Sequence, residues 1–118
     1  MGKRVKQIYE PVFKVWVGVL VCPQAEFDRQ VKKLNISGLR VEKTVAGAVC
    51  PLTDKDGCTS FLVWFAKKPP LNDIVHEAWH LTDNILETRG VEYNTKGGNE
   101  VFAYYTEFWV EKLREVTK

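Results

Sequence analysis

Two adjacent prolines, Pro69 and Pro70, divide this chain into halves that cannot share one kind of secondary structure. Proline offers no amide hydrogen to a sheet ladder, so the strand-like run ahead of the pair has to stop there. Ahead of it, residues 12–22 (VFKVWVGVLVC) and 59–66 (TSFLVWFA) are rich in β-branched and aromatic side chains and read as strands. Residues 39–52 hold one or two further strand segments, clearest at 44–50, and the stretch Thr53-Asp54-Lys55-Asp56-Gly57 carries a hairpin signal before 59–66. Between the first strand and that hairpin, Phe27, Val31 and Leu34 are spaced as on a short amphipathic helix over 24–34. Behind the prolines the period changes. Asn72 or Asp73 is placed to cap a helix running to about Arg89, with Gly90 where a helix-ending glycine belongs. Asn99 is placed to cap a last helix reaching about Val116. The expected order is β-α-β-β-α-α, an α+β domain with a small sheet and helices.

A length of 118 residues fits one domain, and 45% apolar residues can fill a core without disulfides. The net charge of +2 is spread thinly, with small clusters at Lys3–Arg4, Lys32–Lys33 and Lys67–Lys68. Nucleic-acid binding needs a denser basic stripe and is not expected. The apolar run at 15–21 is too short to span a bilayer, and Lys6 stands where a myristoylation signal carries Ser or Thr, so no membrane association is expected. Cys22, Cys50 and Cys58 form no CxxC pair, and an odd count is no disulfide framework. Cys50 and Cys58 flank the hairpin turn and read as small buried hydrophobes rather than metal ligands. A reducing, cytoplasmic location is the simplest expectation.

The helix after the prolines carries the chemistry. Residues 76–80 read His-Glu-Ala-Trp-His, and the chain has no other histidine. Two histidines four apart lie one turn above the other on one helix face, so both imidazoles can reach one zinc ion. At about 100° per residue, Val75, Ala78, Trp79, Leu81, Thr82, Ile85 and Leu86 fall on one side. His76, Glu77, His80, Asp83 and Glu87 fall on the other, away from the helix's own packing face. A catalytic zinc takes three protein ligands and keeps one position open. Glu100, in the first turn of the last helix, is the first candidate for the third, with Glu107 and Asp83 as rivals. Tyr104 and Tyr93 are candidates to stabilise a developing oxyanion. Trp64, Trp79 and Trp109 read as core aromatics.

His76-Glu77-x-x-His80 followed by Asn99-Glu100 resembles the gluzincin clan of zinc metallopeptidases, which carry HExxH on one helix and a glutamate, often as Asn-Glu, on a later one. It is also similar to small metallopeptidase-like proteins of phage and prophage genomes, with HEAxH and an (N/D)E-x-x-A-Y segment near the C-terminus. The resemblance covers roughly residues 72 to 113. It implies a zincin-like fold, zinc bound by His76, His80 and Glu100, Glu77 as general base, and hydrolysis of a peptide bond in a peptide or protein substrate. Tyr104 stands where larger members place a histidine-orienting aspartate. The metzincin pattern is absent, because position 83 is Asp and position 86 is Leu. In HExxH enzymes an antiparallel edge strand borders the cleft and pairs with extended substrate; residues 59–66 are the first candidate by proximity. The alternatives are a non-catalytic accessory or assembly protein that keeps the zincin fold and its metal, and an interaction domain without metal.

Overall fold

The computed structural model describes residues 5–33, 47–53, 57, 59–92 and 98–118. In chain order the elements are β1 (Lys6–Glu10), β2 (Val15–Val21), α1 (Gln24–Lys33), β3 (Gly47–Thr53), β4 (Thr59–Phe65), α2 (Leu71–Thr88) and α3 (Gly98–Val116). This is an α+β fold with a four-stranded mixed sheet in the order β1-β2-β4-β3. β1–β2 and β3–β4 pair antiparallel, and β2–β4 pair parallel. The strand expected at 39–46, the turn residues 54–56, Cys58 and Tyr93 lie outside the described residues.

One strand was not legible. The run expected as a single strand at 12–22 begins only at Val15, and residues 11–14 form a turn with Lys14 at φ 55°. That turn folds β1 back onto β2, so the order is β-β-α-β-β-α-α. β1 is largely polar, yet Ile8 and Glu10 point into the core. Glu10 is 1% exposed and held on all sides. Its carboxylate accepts the backbone N–H groups of Val12 and Phe13, and the Tyr105 hydroxyl donates to it at 2.7 Å. The acidic side chain thus serves as the turn's acceptor and as a tether to α3.

The sheet is buried on both faces. One face packs against α2 and α3 through Val15, Val17, Val19, Phe61, Val63 and Phe65. The other packs against α1, where Phe27 stacks on Trp64 with centroids 4.6 Å apart and the Trp64 indole N–H donates to the Cys22 carbonyl at 2.8 Å. β2 and β4 therefore read as near-continuous apolar runs. α2 starts from Pro70 rather than from Asn72 or Asp73, without a side-chain cap. It ends as the glycine predicts: Gly90 has φ 74°, its N–H reaches the Glu87 carbonyl, and the Val91 N–H reaches Leu86.

Candidate metal centre

α2 lies against the sheet through Ile74, Ala78, Leu81, Thr82 and Ile85. His76 is exposed and His80 half-buried on its outward side, as the periodicity requires. Their Nε2 atoms stand 3.2 Å apart, with the rings edge to face at 4.7 Å between centroids. Two nitrogens at zinc-ligand distance in a tetrahedral set lie about 3.3 Å apart. The separation matches that of two corners of a zinc site, and without metal it is also hydrogen-bond distance between the two rings. Below it, the Asn84 side-chain amide donates to the His80 carbonyl at 2.7 Å.

Glu77 departs from the periodic expectation. It is 6% exposed, turned toward the flank of α2 that meets β3. A Cβ added at Gly47 would lie 3.4 Å from Glu77 Oε2 and 2.7 Å from the Trp64 carbonyl oxygen. The missing side chain of Gly47 is therefore what lets the start of β3 and the Glu77 carboxylate share this space. Sequence reasoning missed Gly47; only the strand order exposes its place. Burial pushes the Glu77 carboxyl above its ordinary range, the His76 ring opposes that, and Asp73 adds to it. Burial first, and the Glu77 carboxylate second, push the Cys50 thiol up to about 11.

The neighbouring strand also differs from expectation. β4 lies inside the sheet between β2 and β3, so among the described residues β3 is the edge strand beside α2. Val75 and Trp79, expected in the packing face, are 43% and 47% exposed. Trp79 is thus not core, unlike Trp64 and Trp109. Its ring borders His80 at 5.3 Å and Phe102 of α3 at 5.5 Å, which brings the first turns of α3 alongside the second histidine.

Glu100 is exposed in the first turn of α3, and Tyr104 is 70% exposed one turn on. Asp83 borders a groove of about 490 Å³ with Leu86, Val91 and Phe102, and Glu107 borders another of about 630 Å³ along the second half of α3. Among the described residues no three His, Cys, Asp or Glu side chains stand together as a metal-holding group. His76 and His80 stand together, and none of Glu100, Glu107 and Asp83 joins them in such a group. Cys22 and Cys50 are buried. No helix among the described residues is long and apolar enough to cross a membrane. Comparison with protein-family models, curated proteins and solved structures finds no match to the chain.

Proposed function

We propose that this protein is a zinc-dependent peptidase in which His76 and His80 hold the metal and Glu100 supplies the third ligand. The observation that carries the reading is the 3.2 Å approach of the two Nε2 atoms on the outward face of α2. Contact between Trp79 and Phe102 supports Glu100, because it sets the start of α3 beside His80. Zinc, when bound, supplies Lewis acidity toward a carbonyl and toward water. Glu77 lies one residue from the first ligand, and its carboxylate would take a proton from the attacking water and return it to the leaving amine. Gly47 keeps that carboxylate against β3. The open side of β3 would pair with an extended peptide through main-chain hydrogen bonds. A cytoplasmic setting and a phage-type role belong to the same proposal.

A second reading has its own support. Val75, Trp79, Val101 and Tyr104 are exposed large side chains on α2 and the first turns of α3, a surface suited to a protein partner in a non-catalytic accessory role. Glu77→Gln separates the two. With zinc added, the peptidase reading expects the variant to bind zinc as the wild type does and to lose at least about a hundredfold in cleavage of a denatured protein substrate. Equal cleavage by variant and wild type, or none by the zinc-loaded wild type across such substrates, would overturn it.

A further inference from the structure

A second concave surface lies at the opposite end of the helices from Gly90. β2 and β4 run parallel, so their carboxyl ends, Val21 and Phe65, share one rim of the sheet. Here two adjoining depressions of about 340 and 190 Å³ share Lys68, Thr117 and Lys118. The first adds Lys6, and the second adds Arg114. Among the described residues no Asp or Glu side chain lines either. Beneath the cations the floor is apolar, made by Val19, Val21 and Val116 on one side and Leu71 and Ile74 on the other.

Four cations face the end of α3, whose closing carbonyls carry negative partial charge and oppose an anion. The Lys6 ammonium offsets this by donating to the Val116 carbonyl at 2.6 Å, which also fixes its position at the rim. Among the described residues the ion pair is Arg29–Glu26 on α1, and Lys68, Arg114 and Lys118 have no carboxylate partner. Arg114 and Lys118 also border the groove that holds Glu107, Glu111 and Glu115, and Lys68 and Lys118 are the two cations that border both depressions. Cations around an apolar floor match a ligand with a phosphate group and a flat apolar part.

We infer that this rim binds a nucleotide phosphate, with Lys68 and Lys118 on the phosphate and the valine floor under the base. The source is either a free nucleotide or the phosphorylated end of a nucleic-acid strand. The site is independent of the histidine pair. The test is calorimetric titration of the full chain with ADP, with pyrophosphate and with a 5′-phosphorylated oligothymidylate. Lys68→Glu/Lys118→Glu is the variant, and Lys32→Glu on α1 the control. All three substituted side chains are exposed, so the fold is retained and circular dichroism checks it. The inference expects ADP or the oligonucleotide to bind more tightly than pyrophosphate, with affinity lowered roughly tenfold or more by the double variant and unchanged by the control. Tighter ADP identifies the free nucleotide as the source, and a tighter oligonucleotide identifies the strand end. No saturable binding of either, pyrophosphate binding as tightly as both, or a double variant that binds like wild type would each overturn it.

Discussion

At the scale of single residues, two buried acidic groups do different work. Glu10 satisfies two backbone donors and the Tyr105 hydroxyl, in a place where an unpaired carboxylate could not remain. Tyr105→Phe is expected to lose about 1.5–3 kcal/mol of stability in urea unfolding, the range for a hydrogen bond to a charged group. A loss indistinguishable from zero would show that Glu10 is held without it. Glu77, by contrast, accepts no hydrogen bond from a described residue and shares its space with Gly47. Its influence reaches Cys50, whose thiol is pushed from 9.0 to about 11, chiefly by burial. The folded state thus keeps a proton that the unfolded chain releases. This contribution to stability is complete below pH 9, and it is lost as pH rises toward 11. Unfolding free energies measured at pH 8 and pH 11 should differ less in Cys50→Ala than in wild type. An identical difference would contradict the assignment.

At the scale of elements, the helices were the most legible part. Their existence follows from the switch to helical spacing after Pro70 and the end of α2 from Gly90, whereas the caps expected at Asn72 or Asp73 and at Asn99 lie inside α2 and α3. Gly90→Ala is expected to cost about 1 kcal/mol, because φ of 74° is unfavourable for a residue with a Cβ. A thermal midpoint equal to wild type would show that the helix end relaxes freely. β1 was illegible for a physical reason: its polar sequence earns its strand through one turn and one buried acid, not through alternation alone. The identity of the edge strand was illegible too, since β4 follows β3 in the chain but pairs with β2 across it. Val75 and Trp79 misled because periodicity separates apolar from polar residues and does not say which apolar ones find a partner.

At the scale of the whole molecule, the sheet is a wall with α2 and α3 on one face and α1 on the other. Burial on both faces explains why β2 and β4 were plain from composition alone. The same architecture turns the outward side of α2 to solvent, so a histidine pair there can be reached by a metal ion and a substrate. Spacing on one helix made that pair readable in the sequence. The proposed third ligand, Glu100, lies on a different element, and whether it can approach depends on how α3 sits against α2, which no local pattern encodes. Metal content therefore probes the chain at the level where residue and architecture meet. Elemental mass spectrometry of the purified, untagged protein after zinc incubation and dialysis should find about one zinc per chain, lost in His76→Ala and lowered in Glu100→Ala. Zinc absent from the wild type, or retained equally by His76→Ala, would contradict a metal centre on this helix.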